Sequence, residues 1–141
     1  MMRVREGDPL PEVEQTVTQC LIDRYAEASG DFNPIHVDQD FASGSHFGGT
    51  VAHGMMVAAS ISEMMTATFG TDWLRSGKLK LRFRAPVLPG DTVTVFGAVK
   101  RVRQLDGATE VACSVGVRRQ NDESAITGDA TVTVASDGSP S

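Results

Sequence analysis

The sequence predicts an α+β fold in which an antiparallel sheet of about five strands wraps around one long central helix. Two observations predict it. Residues 54–68 form the most apolar run, with apolar or small side chains on all sides of the expected helix, which is typical of a helix buried on most sides. Five segments have the period-two alternation or the flanking turns of strands, at 12–17, 78–84, 92–103, 109–119 and 124–135.

Chain length and composition suit one domain. With 141 residues, 40% hydrophobic and 22% charged residues, the chain can enclose one core but is short for two. We expect the domain to span residues 1–136 and residues 137–141 to form a disordered tail. The net charge of −5 argues against nucleic acid or an anionic membrane as a partner. The N-terminus lacks the apolar core of a signal peptide, so we expect a cytoplasmic protein.

The first helix and its boundaries follow from capping signals. Thr18 is the expected N-cap of a helix over Gln19–Ala28, in which apolar residues recur at helical spacing. Gly30 would end this helix. Asp31–His36 is expected to be loop, because Pro34 biases the residue before it towards extended geometry.

The remaining elements are placed in the same way. Asp38–Ser43 would add one helical turn and residues 44–50 a glycine-rich loop, and Gly70 would end the long helix. Asp106-Gly107 and Asn121-Asp122 are expected hairpin turns between strands. A single sheet leaves two edges, and pairing with a second copy would cover one of them, so we expect a homodimer or a larger assembly.

Cysteine and histidine spacing gives no metal or disulfide signal. Cys20 and Cys113 match neither a zinc spacing nor a disulfide framework, and their apolar neighbours predict two buried thiols. The three histidines, at positions 36, 46 and 53, fit no common zinc spacing either. We therefore expect no bound metal.

The segment between the first helix and the glycine-rich loop places a carboxylate, a carboxamide and an imidazole within six positions. Asp31 and His36 together suit general acid–base chemistry on a shared water, and Asn33, which cannot titrate, suits orientation by hydrogen bonds. Gly54 opens the apolar helix, where free backbone N–H groups point outward and the absence of a side chain admits a carbonyl oxygen. These parts suit addition of water to a double bond conjugated to a carbonyl.

Three motifs occur along the chain. The first comprises Tyr25, Ser29, Gly30, Asp31, Asn33, Pro34, Ile35, His36 and Ala42. The second is Ala52-His53-Gly54-Met55, and the third is Phe83-Arg84-Ala85-Pro86-Val87-Leu88-Pro89-Gly90-Asp91. Together they resemble, in the same order, the motifs of the MaoC-like dehydratases, the (R)-specific enoyl-CoA hydratases of the hot-dog fold, and they span almost the whole chain.

The resemblance implies reversible hydration of a trans-2-enoyl thioester to the (R)-3-hydroxyacyl thioester. Asp31 and His36 would be the catalytic pair, with the roles of acid and base left open. Asn33 would support the active site, and the backbone amide of Gly54 would bind the thioester oxygen. No cofactor is expected, because coenzyme A or the phosphopantetheine of an acyl carrier protein is part of the substrate.

Other residues are expected around that site. Ser62 corresponds to a polar helix residue that lies near the pair in some relatives, and His53 would help to order the start of the helix. Arg82 and Arg84 belong to a strand face of alternating cations that is either simply solvated or in contact with the phosphates of coenzyme A.

Three alternatives stay open in the sequence. The same chemistry could act on an acyl-carrier-protein substrate, as in a (3R)-hydroxyacyl dehydratase of fatty-acid synthesis. A hot-dog thioesterase would use a helix carboxylate such as Glu63, but nine residues at about 100° each turn it roughly half a revolution away from Gly54. A non-catalytic acyl-binding subunit would not need Asp31 and His36 together. The acyl chain length depends on packing that the sequence does not specify.

Overall fold

The computed structural model describes residues 4–135, and the expected tail at 137–141 lies outside them. The helices and strands, in chain order, are β1 (Val13–Thr16), α1 (Gln19–Ser29), α2 (Pro34–Val37), α3 (Gln39–Ser43), α4 (Gly54–Phe69), α5 (Thr71–Ser76), β2 (Lys78–Phe83), β3 (Thr92–Leu105), β4 (Ala108–Arg119) and β5 (Ser124–Ala135). The five predicted strands and the long helix are all present, so the predicted fold class is confirmed. Among the described helices, none is long and apolar enough to cross a membrane.

The five strands form one antiparallel sheet in the order β1-β3-β4-β5-β2. Strands β1 and β2 are therefore the edges. The central strands align Val99 of β3 with Cys113 of β4, and Cys113 with Ala130 of β5. A register shift between Val99 and Arg101 bends β3, since one extra residue in a strand increases its local curvature.

The core lies between α4 and the concave face of the sheet. Ile61, Met64 and Met65 of α4 are completely buried, and the helix contacts β3, β4 and β5. Facing side chains from the sheet include Val95 and Val117, which are also completely buried. Burying a side chain of this size contributes roughly 1.5–3 kcal/mol, so the helix is fixed along most of its length.

One side of α4 is not covered. Met55, Ala59, Glu63 and Ala67 recur every four residues on this side and are exposed, with Met55 65% exposed. The helix is buried on most sides, as expected, and this stripe is the exception. A single five-stranded sheet wraps the helix from one direction and leaves the opposite stripe uncovered in the protomer.

Strand β2 is also more exposed than its alternation predicts. Leu81 packs against the core, but Leu79 is 37% and Phe83 57% exposed. The alternation is right and the half-buried interpretation is wrong, because β2 lies at the edge of the sheet, with β5 as its one hydrogen-bonded neighbour among the described residues. The sheet curves in such a way that α4 does not cover the full length of β2.

Two short helices differ from the prediction. The expected loop at 31–36 contains the helical turn α2, because Asn33 caps it by accepting a hydrogen bond from Ile35 N (3.1 Å) and Pro34 occupies the first helical position, where proline is well tolerated. Helix α5 was not predicted, since six residues are too few to give a periodic pattern. The predicted boundaries at Thr18, Gly30 and Gly70 are confirmed.

The two thiols also differ from each other. Cys113 is buried in β4, and burial raises the pKa of its thiol to about 11. Cys20 is exposed, so the prediction of a second buried thiol is wrong. Helix α1 buries Ile22 and Ala26, four residues apart, and Cys20 does not lie on that stripe.

The turn before β3 is held by a buried carboxylate. Asp91 is 6% exposed and accepts hydrogen bonds from Leu88 N, from Gln120 Nε2 and from the guanidinium of Arg119 at 2.8–3.3 Å. Burial acts to raise the pKa of Asp91, but these hydrogen bonds together outweigh it and hold the pKa below its ordinary value. The bonds fix residues 88–91, and the neighbouring Val87 carbonyl accepts a hydrogen bond from Ala52 N (2.8 Å), just before α4.

We expect Asp91→Asn to lower the free energy of unfolding by about 2–3 kcal/mol at neutral pH, because buried donors lose their ionised acceptor. The folded-state pKa of Asp91 lies below the unfolded value of about 3.9, so its stabilisation is complete above that value and is lost as the pH falls through the folded-state pKa. Denaturant unfolding of both proteins across this acidic range measures the difference, which should shrink as the pH falls.

The matched control is Asp129→Asn, since Asp129 pairs with Lys100 at 2.7 Å on the surface. It should change the free energy of unfolding by less than about 1 kcal/mol. A stability difference between wild type and Asp91→Asn that stays the same from neutral to acidic pH would contradict the interpretation.

Candidate active site

The segment after α1 forms a tight turn that presents Asp31. Gly30 ends the helix with φ 78°, a left-handed conformation that glycine adopts without strain. The Asp31 carboxylate then accepts a hydrogen bond from Asn33 N (3.2 Å), and Asp31 N donates to Ser29 Oγ (3.2 Å). The carboxylate is exposed in the protomer, so it is free to contact a bound molecule.

His36 is half-buried on α2 and is held at both its side chain and its backbone. Its ring Nδ1 lies 2.8 Å from the Val51 carbonyl oxygen, and its own carbonyl accepts a hydrogen bond from Gln19 Nε2 (2.8 Å). Gln19 is itself fixed by Thr50, which donates to Gln19 Oε1 (2.6 Å). A carbonyl can only accept, so Nδ1 carries the proton and Nε2 of the neutral ring is left as an acceptor.

His53 lies beneath both residues. It is 2% exposed, and its Nε2 donates to the backbone carbonyl of Asp31 (2.9 Å). Its ring stacks on that of His36, with centroids 3.8 Å apart and planes 22° apart, and contacts Tyr25 with centroids 4.8 Å apart. Within residues 4–135, its Nδ1 has no hydrogen-bond partner although it is buried.

The structure thus brings the two predicted catalytic side chains together. Asp31, His36 and His53 each place one oxygen or nitrogen atom within 4.8 Å of the other two. That spacing allows one water molecule or one substrate atom to reach both a carboxylate and an imidazole.

The ring geometry argues against a shared metal ion at this cluster. A histidine binds a metal along a lone pair that lies in the plane of its ring. For zinc, the metal–nitrogen distance is about 2.0–2.1 Å. The rings of His36 and His53 are stacked and nearly parallel, so their in-plane lone pairs run side by side instead of meeting at one ion. One nitrogen of each ring is also committed to a backbone carbonyl.

The amino end of α4 adjoins this cluster, since His53 is its N-cap and Gly54 its first residue. Among the described side chains, none caps this helix end, so its first amides keep free N–H groups and the positive end of the helix dipole. Gly54 also lines a cleft of about 320 Å³. A methyl group at this position would lie 3.1 Å from the ring of Phe83, a tight contact that the ring would have to shift slightly to relieve.

The cleft is mostly apolar and adjoins the cluster through Gly54, which directly follows His53. Its described lining comprises Phe47, Ala52, Gly54, Val57, Phe83, Arg84, Ala85, Pro86, Val87, Ala125 and Ile126. Neither Asp31 nor His36 is in that lining. An elongated molecule that fills the cleft and passes over Gly54 would therefore reach the cluster with one end.

The other predicted residues are placed as follows. Arg84 lines the cleft and donates from Nε to Thr127 Oγ1 (3.0 Å), whereas Arg82 is exposed on β2. Ser62 is partly buried on α4 and is not part of the cleft lining. The side chain of Asn33 caps α2, and Glu63 is exposed, in keeping with the angular argument against a thioesterase.

Two features of the site were not predicted from the sequence. The clamp of Gln19 and Thr50 on the backbone of His36 joins residues 31 positions apart, and neither belongs to a motif. The ring of Phe83 over Gly54 unites two motifs that are separate in the sequence. Gly54 is the sequence signal for its contact with Phe83, because glycine is favoured where another group approaches the backbone closely.

The fold and the site together define a class of protein. The five-stranded antiparallel sheet around one helix is the hot-dog fold, and a carboxylate and two imidazoles lie at the start of that helix. A model of the MaoC-like domain matches residues 3–121. The chain therefore belongs to the MaoC-like domain family. The resemblance predicted from the three motifs is confirmed.

Named relatives agree with this assignment. The 3-hydroxybutyryl-CoA dehydratase of Methylorubrum extorquens is 37% identical over 114 residues, which cover 78% of this chain and 68% of that protein. The (R)-specific enoyl-CoA hydratase of Rhodospirillum rubrum is 37% identical over 95 residues, which cover 64% of this chain and 62% of that protein. The chain thus spans about two thirds of the length of these curated relatives. Both names describe hydro-lyases, the enzyme class expected from the sequence.

A solved structure supports the fold independently. The (R)-hydratase from A. caviae involved in PHA biosynthesis superimposes with a TM-score of 0.80 at 24% identity, and the match covers 95% of this chain and 99% of that one. This likeness confirms the hot-dog fold.

The hydrogen bonds predict opposite tautomers for the two stacked histidines. In their neutral forms, His36 should carry its proton on Nδ1 and His53 on Nε2. Long-range proton–nitrogen NMR correlation distinguishes the two forms, with the exposed His46 as the internal reference. A His53 ring protonated on Nδ1 would contradict the bond to the Asp31 carbonyl.

Proposed function

We propose that this chain catalyses reversible addition of water to a trans-2-enoyl thioester, giving the (R)-3-hydroxyacyl thioester. The observation that carries the proposal is the convergence of Asp31 and His36 beside the uncapped amino end of α4. Membership of the MaoC-like family and relatives named as dehydratases and hydratases support it. The reaction needs no cofactor.

Asp31 and His36 act as the acid–base pair in this proposal. In hydration, one of the pair removes a proton from water as its oxygen bonds to the β carbon. The π electrons of the double bond move to the carbonyl oxygen, and the other group of the pair gives a proton to the α carbon. Dehydration reverses each step, and the two groups exchange roles. The group that acts as the acid starts the hydration protonated, as the carboxyl of Asp31 or the imidazolium of His36, while the other accepts a hydrogen bond from the reacting water through a carboxylate oxygen or Nε2.

Gly54 supplies the site for the developing negative charge. The thioester oxygen becomes an enolate oxygen, which the free N–H of Gly54 and the helix dipole stabilise. One such donor is typically worth about 2.7–4 kcal/mol in the transition state. Because Gly54 follows His53 of the cluster and also lines the cleft, the pantetheine side of the thioester can occupy that cleft while the reacting carbons face Asp31 and His36.

Cations near the cleft suit the phosphate-bearing part of the substrate. Arg84 lines the cleft and is exposed, and Arg82 lies two residues before it with Thr127 as its cross-strand partner. Both guanidiniums can bind phosphate oxygens with two parallel hydrogen bonds. We therefore propose a coenzyme A thioester as the substrate and Arg82 and Arg84 as its phosphate contacts.

A second copy of the chain is part of the proposal. The uncovered stripe of α4 begins at Met55, next to Gly54, where the exposed ring of Phe83 lies. Edge strand β2 adds Leu79 and unpaired backbone groups to the same apolar region. A homodimer that covers this region would close the open side of the helix and shield the substrate from water.

A cytoplasmic location remains a prediction.

Asp31→Asn and His36→Ala should each lower kcat by about a hundredfold or more, because each removes one proton-transferring group and leaves the fold intact. The assay follows the absorbance of the conjugated enoyl thioester on a series of acyl chain lengths, with release of free thiol measured in parallel. Release of free thiol in step with the loss of absorbance would identify a thioesterase instead, because hydration leaves the thioester intact.

The matched control is Asp40→Asn, which changes an exposed carboxylate in the first turn of α3. Its kcat should stay within about twofold of wild type. Unchanged turnover in either Asp31→Asn or His36→Ala would falsify the acid–base assignment.

Replacing Arg82 and Arg84 together by glutamine should raise KM about tenfold for an enoyl-CoA, because charge-assisted contacts to phosphate are lost. The KM for an enoyl thioester of N-acetylcysteamine, which carries no phosphate, should not change. Arg75→Gln is the control, since Arg75 forms a surface pair with Asp72 on α5. Equal rises of KM for both thioesters would rule out phosphate binding by these arginines.

A further inference from the structure

We infer that His53 is a positioning residue that holds both members of the proposed acid–base pair, Asp31 through its N–H and His36 through its ring. This inference rests on the proposed function and adds to it a role for a side chain that would not itself transfer a proton. Each half of the inference depends on a different contact.

The first contact fixes Asp31. Among the described residues, its other hydrogen bonds are to Ser29 and Asn33, two positions away within the same turn. The bond from His53 Nε2 to the Asp31 carbonyl spans 22 residues and ties that turn to the start of α4. Without it, the turn could keep its local shape and still shift relative to Gly54.

The second contact fixes the ring of His36. The bond from its Nδ1 to the Val51 carbonyl locates one atom of the ring but allows rotation about that direction. Stacking at 3.8 Å on His53 determines the plane of the ring, and hence the direction in which Nε2 points. Tyr25 contacts the His53 ring in turn, so the supporting ring is itself held.

Burial supports a functional reason for an imidazole at this position. His53 is 2% exposed, and its Nδ1 has no partner among residues 4–135. A buried polar atom without a partner costs free energy that an apolar ring of similar shape would not. The unpaired nitrogen therefore adds nothing to packing, and the feature that a purely apolar ring would lack is the N–H that reaches Asp31.

Two substitutions separate the two contacts. His53→Phe keeps an aromatic ring against His36 and loses the donor to Asp31, whereas His53→Gln keeps an N–H donor and loses the ring. Each should lower kcat about tenfold or more while KM changes less than twofold, because displaced catalytic groups slow the reaction without weakening binding. His46→Phe and His46→Gln make the same changes at an exposed loop histidine and should leave kcat within twofold of wild type.

Double-mutant cycles test whether each effect acts through the expected partner. In the Asp31→Asn background, His53→Phe should lower the residual kcat less than twofold, because the group that it misplaces is already lost. In the His36→Ala background, His53→Gln should likewise have almost no further effect. A purely structural role predicts the opposite, with the same fold loss in every background.

The inference is overturned if either His53 variant keeps kcat within twofold of wild type, or if the losses multiply in both backgrounds. Circular dichroism and gel filtration establish that each variant folds, and if His53→Phe does not, the His53→Gln and His36→Ala cycle carries the test alone. Failure of the proposed function is recognised separately, since wild-type protein would then not hydrate any enoyl thioester.

Discussion

Burial of α4 against the concave face of the sheet is the constraint on which the site depends. The helix is anchored by side chains from Val57 to Phe69, and its free amino end is therefore held at a fixed place. The chain just before it is pinned from two sides, because Val51 N donates to the Ile35 carbonyl and Ala52 N to the Val87 carbonyl. Hydrophobic burial, which has no directional preference, positions the helix, and a few hydrogen bonds at its start determine the orientation of the polar groups.

The polar groups of the site come from short segments that have little stability of their own. Helix α2 has four residues, and the turn before it is exposed. Their positions are imposed by contacts with the anchored segment, through His53 to one side and through Val51 to the other. Such a division between a rigid scaffold and less stable segments is common in proteins, where helices and strands support loops that hold the binding or catalytic residues. The ion pair of Asp91 and the partly buried Arg119 is connected to the site in the same way, since the turn that it stabilises adjoins Val87, whose carbonyl accepts a hydrogen bond from Ala52 N.

Much of this arrangement could be predicted from the sequence. Strong local signals gave the strands, the long helix, and the boundaries at Thr18, Gly30 and Gly70, each of which has a capping or turn mechanism. Motif spacing brought Asp31, His36 and Gly54 into one hypothesis. What could not be predicted depends on tertiary context: Cys20 and the stripe through Met55 are exposed because of where the neighbouring elements lie, which no local pattern records. The hydrogen bond from Gln19 to the His36 carbonyl and the stacking of His53 on His36 join distant positions, so they depend on the tertiary structure and leave no local sequence signal.

The walls of the cleft differ in how firmly they are supported. Gly54 and Val57 belong to the anchored helix, and Ala125 and Ile126 to β5, which has hydrogen-bonded neighbours on both sides. Phe83 and Arg84 come from the end of an edge strand with one such neighbour. Evolution can therefore remodel that wall through a few replacements in the edge strand while Asp31, His36 and Gly54 keep their geometry. Diversification of the cleft is accordingly confined to a small stretch of chain and costs little stability.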